Sequence, residues 1–201
     1  MSVQFNDLEL LDSVRDFALG HPHPSMQKFR DSMRNWGDDW ISIKPTYLPA
    51  ADFLAAAIAN TNQQTRPLVE TFEQHKNRLH WEQSYKKADD VVPDAMLDGY
   101  AFAEIIGKRG PFVSDRIRAG IGIWGPDILY PRHQHQAEEI YVVLAGAAEF
   151  KIGAAEEVMR SAGDVINVES NTPHGFRTID QSLVVYYLWQ AGDLRQTSSF
   201  G

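Results

Sequence analysis

The sequence predicts a mainly β protein: an antiparallel barrel or sandwich with a helical layer contributed by its N-terminal third. Three observations carry this. Apolar residues recur at helical spacing up to about residue 85, and at strand spacing after about residue 99. Short turns containing Gly or Asp-Gln separate the later apolar runs. No internal repeat or low-complexity linker divides the chain, so residues 1–85 read as a helical cap packed on a β-barrel of residues 86–201, forming one structural unit.

In the first part, Leu8, Leu11 and Val14 share one helical face after an Asn6 or Asp7 cap. "HPHPS" interrupts that helix, and Ser25 is placed to cap a second one running through about Asn35. "PAADFLAAAIAN" stacks Leu54 on Ile58, and a fourth helix begins at Pro67 and carries Leu68, Phe72 and Leu79. In the second part, "DRIRAGIGIW" puts Ile117, Ala119, Ile121 and Ile123 on one strand face and Arg116 and Arg118 on the other. Further strands are expected at "EIYVVLAGAAEFKIG", "DVINVES", "HGFRTI" and "SLVVYYLWQ".

Composition narrows the function. A formal net charge of −8 argues against nucleic acid or an anionic membrane as partner. There is no cysteine, which excludes disulfides, thiolate ligation and a catalytic thiol, so any metal must sit on nitrogen and oxygen. The first residues lack the basic and apolar regions of a signal peptide, and no run is apolar enough to span a bilayer, so the expected location is the cytoplasm.

The chemistry concentrates in "PRHQHQAEEIYVVLAG", residues 131–146. His133 and His135 stand two apart on an extended segment and project from one face, so both can reach one ion. Glu139 and Tyr141 share a parity on the next strand, with Val143 and Ala145 continuing inward, while Glu138 points the other way toward solvent. His174, fixed behind Pro173 in "GDVINVESNTPHGF", offers a further ligand. Paired histidines alone usually bind nothing. His21 and His23 read as such a surface pair, and His75 and His80 as ordinary helix residues. The second pair differs by its company, a carboxylate at strand parity and a later Pro-His in a β setting. Tyr141 should aim its phenol into the same cavity, Tyr130 sits at the rim of the preceding strand, and Trp189 shares an inward parity with Val185 and Tyr187 on the opposite wall. For Tyr187 core packing with a satisfied hydroxyl is the preferred reading.

The forms HxHx3Ex6G in "HQHQAEEIYVVLAG" and Gx9PH in "GDVINVESNTPH" resemble the two motifs of the cupin superfamily. The resemblance covers roughly residues 99–190 and implies a cupin antiparallel β-barrel, or double-stranded β-helix. It implies one divalent metal ion (zinc, iron(II) or manganese) on His133, His135, Glu139 and His174. Cupin sheets often pair, which makes a homodimer a candidate assembly. The chain departs from the pattern at Asp127, where the first motif usually opens with Gly, and at Thr178, where the second often ends in Asn.

A metal flanked by phenols and aromatic faces, without a thiol, suits β-elimination from a carboxylate carrying a cationic leaving group. Tyr141 after Glu139, Tyr130 in "YPRHQH", the late Trp189 and the helical N-terminal third resemble the DddQ-type dimethylsulfoniopropionate (DMSP) lyases. That resemblance implies a small-molecule sulfonium carboxylate substrate, cleavage to dimethyl sulfide and acrylate, and helices covering the barrel mouth. It makes Tyr141 the base for the Cα proton and Tyr130 and Trp189 substrate-binding residues. A cupin Fe(II) dioxygenase and a non-catalytic small-molecule-binding cupin are the alternatives from the residues alone.

Overall fold

A computed structural model describes residues 3–34, 39–196 and 198–200. The N-terminal part holds α1 (Val3–Gly20), α2 (Pro24–Lys28), α3 (Arg30–Arg34), α4 (Phe53–Ala57) and α5 (Arg66–His75), with 3-10 turns flanking α4 and following α5. A two-residue strand β1 (Trp81–Glu82) and α6 (Asp94–Gly99) lead into β2 (Tyr100–Gly107) and β3 (Phe112–Val113). Then come β4 (Ile117–Trp124), β5 (Leu129–Gln134), β6 (Glu138–Ala145) and β7 (Ala147–Ile152). The chain ends with β8 (Val158–Ser161), β9 (Val165–Val168), β10 (His174–Thr178), β11 (Leu183–Gln190) and β12 (Ser199–Phe200).

The strands form two sheets. One runs β1-β2-β4-β11-β6-β9 with β3 paired to β2; the other runs β12-β5-β10-β7-β8. All pairings are antiparallel except β2 with β3. This is the cupin arrangement of facing antiparallel sheets expected from sequence. Among the described residues no helix is long and apolar enough to cross a membrane.

Strand alternation splits the larger sheet into two faces with separate cores. Ile117, Ala119, Ile121 and Ile123 of β4, Ile140, Val142 and Leu144 of β6, and Val184, Tyr186 and Leu188 of β11 pack with Leu10, Val14, Leu54, Val69 and Phe72 of the helices. The other parity turns toward the second sheet. Trp124, Tyr141, Val143, Val185 and Tyr187 meet Tyr130, Phe150 and Phe176 there. The helices therefore cover the outer face of the larger sheet, and the expectation that they cover the barrel mouth is corrected. Apolar residues on that outer face are what demand a cover.

Several local expectations shift. In α1 the buried stripe is Leu10, Leu11, Val14 and Ala18, and Leu8 is exposed; the helix begins at Val3 and not at an Asn6 or Asp7 cap. The second helical segment breaks at Phe29 into two short helices. His23, not Ser25, is the cap, its ring accepting the Ser25 N–H ahead of Pro24 in the first turn. The predicted end at Asn35 lies outside the described residues. Leu79 follows α5 in extended conformation instead of lying on it, and Ile58 falls in a 3-10 turn only partly buried. His21 is buried, against its expected surface position, and packs its ring edge-on to Phe17. Ala145 turns to the helix side with Leu144, since a register shift at Val184/Val185 places a bulge there.

Turn chemistry holds the strand order. Gly146 joins β6 to β7 at φ 76°, and a Cβ there would meet the Ser182 carbonyl oxygen at 2.0 Å. Asp127 adopts φ 56°, the left-handed conformation the motif's usual Gly would take freely. Thr178 is buried, donating its hydroxyl to the Gly125 carbonyl and accepting the Ile128 N–H.

Candidate metal centre and cavity

His133 lies on β5 and His174 opens β10; the two are register partners, and their ring centroids are 4.2 Å apart. His135 follows β5, and Glu139 is the second residue of β6. All four are at most 2 % exposed. The three histidines each offer a ring nitrogen, and these atoms lie within 4.8 Å of one another, a spacing that could hold a metal ion.

Hydrogen bonding fixes which nitrogen each ring offers. His133 Nδ1 is 2.9 Å from the Pro131 carbonyl, His135 Nδ1 is 3.0 Å from that of Ala137, and His174 Nδ1 is 2.8 Å from that of Thr172. A carbonyl oxygen only accepts, so each Nδ1 must carry the proton. A neutral ring then presents its Nε2 lone pair, the form metal-binding histidines take when a carbonyl holds the other nitrogen. His135 Nε2 and His174 Nε2 lie 3.0 Å and 3.3 Å from Glu139 Oε2, and His174 Nε2 has no hydrogen-bond partner. Lone pairs facing a carboxylate in a dry site repel unless a proton or cation stands between them. The donor set therefore fits a divalent cation.

Burial, then the neighbouring His174, pushes the His133 imidazole down to about 3. Burial acts to raise the Glu139 carboxyl; a proton on the facing nitrogens of His135 and His174 would outweigh it and hold the carboxyl below the ordinary range, a part that a bound cation would take over. Tyr141 lies two residues from Glu139 on the same face of β6 and lines the same cavity. Its phenol is pushed well above its usual value, first by burial and then by the Glu139 charge. Tyr130 is also pushed up, by burial and by neighbouring phenols.

The structure gathers His133, Glu139, Tyr130, Tyr141 and Trp189 around one cavity of about 570 Å³, its open mouth included. Ser84, Gln196 and Ser198 also line it, from the segments after β1 and before β12. Three expectations need correction. Tyr130 is interior and stacked on Tyr100 at 5.9 Å, because β5 carries it under the aromatic cluster instead of at a rim. Trp189 lies beside the histidines, 4.0 Å from the His135 ring, not on an opposite wall, since β11 is the hydrogen-bonded neighbour of β6. Glu138 does point away from Glu139, but toward the helices: Lys28 Nζ is 3.0 Å from its Oε1, and Gln190 donates to its Oε2 at 3.2 Å.

Sequence reasoning missed Arg118, Gly122, Trp124 and Tyr187 as cavity residues. For Arg118, Gly122 and Trp124 the signal lay in β4, where one parity is uniformly apolar and the other reads Arg, Gly, Gly, Trp; Tyr187 shares the inward parity of Trp189 on β11. Gly122 leaves room for the Trp124 indole, whose ring atoms would stand 2.5 Å from a Cβ placed there. The Tyr187 hydroxyl, expected to be satisfied in the core, is buried without a partner.

Residues 31–185 match the dimethylsulfoniopropionate lyase family model. The lyase DddQ of Ruegeria pomeroyi is 40% identical over 98 residues, 49% of this chain and 48% of that protein. The matched segments span about half the length of the curated relatives. A chain from the crystal structures of the DMSP lyases RdDddP and RnDddQII superposes with a TM-score of 0.86 at 26% identity, covering 100% of both chains. The crystal structure of DddQ from Ruegeria pomeroyi DSS-3 gives 0.83 at 26% identity, over 97% of this chain and 95% of that one.

Proposed function

The chain belongs to the dimethylsulfoniopropionate lyase family, and from that premise we propose that it is a divalent-metal-dependent carbon–sulfur lyase. Its substrate is dimethylsulfoniopropionate and its products are dimethyl sulfide and acrylate. One observation carries the reading. Three imidazoles hold their Nδ1 protons on backbone carbonyls and cluster within reach of one ion, those of His135 and His174 beside Glu139, while Tyr141 lines the same cavity as that carboxylate.

His133, His135, His174 and Glu139 are the residues assigned to hold zinc, iron(II) or manganese. When bound, such an ion supplies Lewis-acid polarisation of the substrate carboxylate, which acidifies the adjacent C–H. Tyr141 takes the Cα proton. The released electron pair forms the Cα–Cβ double bond, the Cβ–S bond breaks, and sulfur departs with its electron pair as dimethyl sulfide.

Tyr141 starts as a poor base, since burial and the Glu139 charge both favour the neutral phenol. With the four ligands filled, the Glu139 charge would be offset and phenolate favoured, so activity should rise toward alkaline pH as Tyr141 ionises. Tyr130 and Trp189 position and enclose the substrate. Headspace gas chromatography for dimethyl sulfide, with acrylate followed in parallel, tests the assignment on metal-loaded protein given dimethylsulfoniopropionate. Equimolar products under anaerobic conditions support it; absence of both from metal-loaded protein rejects it.

A further inference from the structure

Arg118 and Glu104 form a buried pair that the proposed reaction does not use. Arg118 is 9 % exposed and Glu104 3 %. Arg118 Nε donates to Glu104 Oε2 at 2.6 Å, and its Nη1 donates to the Leu194 carbonyl at 3.1 Å. The other Glu104 oxygen accepts the Arg109 and Gly110 backbone N–H groups at 2.6 and 3.2 Å. A buried carboxylate so fully engaged is a fixed anchor, and it fixes the guanidinium in turn.

That guanidinium lies over Trp189, its Cζ 4.8 Å from the ring centroid. The same indole meets the His135 imidazole at 4.0 Å, with 30° between the rings. Sheet order sets these contacts on opposite flanks. Trp189 pairs with Arg118 on β4 to one side and with Glu139 on β6 to the other, where His135 Nε2 lies 3.0 Å from the Glu139 carboxylate. Both faces of the indole are thus occupied, one by a cation and one by a histidine of the triad. Trp189 therefore meets the cavity at its edge, where it can enclose a substrate but offers no free face for an onium group to stack on.

We propose that Arg118, held by Glu104, is a positioning residue for the metal centre: it presses Trp189 against His135 and so fixes that imidazole's orientation. The proposal rests on the metal reading of the triad. Supports outside the ligand shell typically change metal affinity by about 10–100-fold, and a stacked aromatic clamp acts on the same ring orientation as the Nδ1 hydrogen bond.

The test uses the full chain loaded with Co(II), whose visible spectrum and dissociation constant are read without any turnover. Arg118→Lys keeps a cation for Glu104, and so guards folding, but removes the planar group from the indole. The expected result is roughly tenfold weaker Co(II) binding with an altered d–d spectrum. Trp189→Ala should weaken binding similarly, and the double variant should lose no more than the worse single one, because both act along one path. Wild-type Co(II) affinity and spectrum in a folded Arg118→Lys protein would overturn the proposal, as would fully additive losses. Failure of the wild-type protein itself to bind Co(II) would instead reject the metal reading.

Discussion

The two faces of the larger sheet are built from the same strands and serve opposite ends. On the helix side, β4 offers Ile117, Ala119, Ile121 and Ile123, all fully buried among other aliphatic groups. On the cavity side the same strand offers Arg118, Gly120, Gly122 and Trp124. The first set is interchangeable by volume and contributes stability through area removed from water. The second has little redundancy: a guanidinium, a gap and a ring each occupy a place that another residue would spoil. In β6 the contrast is sharper, with Ile140 and Val142 facing the helices and Glu139 and Tyr141 facing the histidines. A face that carries chemistry is recognisable by its mixture, and a face that carries stability by its uniformity.

That comparison can be broken on either side. The largest effect is expected at the centre. His174→Ala should lose metal and activity together, measured by elemental analysis and turnover, and full metal occupancy would show that the second motif has been misread. Ile121→Ala, on the helix side, should cost about 2–5 kcal/mol of unfolding free energy while the folded fraction keeps its metal and turnover. Its neighbour Gly122→Ala should act on the cavity as well as on stability. The added Cβ forces Trp124 from its place, so KM should rise with metal content unchanged; an unaltered KM would mean that Trp124 does not shape the cavity. The smallest effect belongs to Glu138→Ala. It removes a half-exposed contact to Lys28, worth at most about 1 kcal/mol, and should leave turnover near normal, whereas Glu139→Ala should not.

Much of this was legible in the sequence, because parity is a local property. The positions of His133, His135, Glu139 and Tyr141 follow from counting residues along extended chain. What lay beyond reach depended on partners distant in sequence. Nothing near Glu138 announces Lys28, and nothing near Trp189 announces that its faces meet Arg118 and His135. The helices were placed at the mouth by resemblance, although the uniform Ile face of β4 already required an apolar cover elsewhere. Ala145 shows the limit of counting: one bulge reverses every parity beyond it. The short strands β1, β3 and β12 carry too few residues for any period to show.

In the proposed reaction Tyr141 moves the proton while the histidines and Glu139 hold the metal. Tyr141→Phe keeps the ring among Phe150, Phe176 and His174 and removes only the hydroxyl. Its turnover of dimethylsulfoniopropionate, measured beside its metal content, tests the claim directly. Full metal occupancy and an unchanged fold are expected, with turnover lowered on the order of a hundredfold or more, the scale of positioned base catalysis. Near-normal turnover in metal-loaded Tyr141→Phe, with Tyr130→Phe inactive, would move the base to Tyr130 and contradict it.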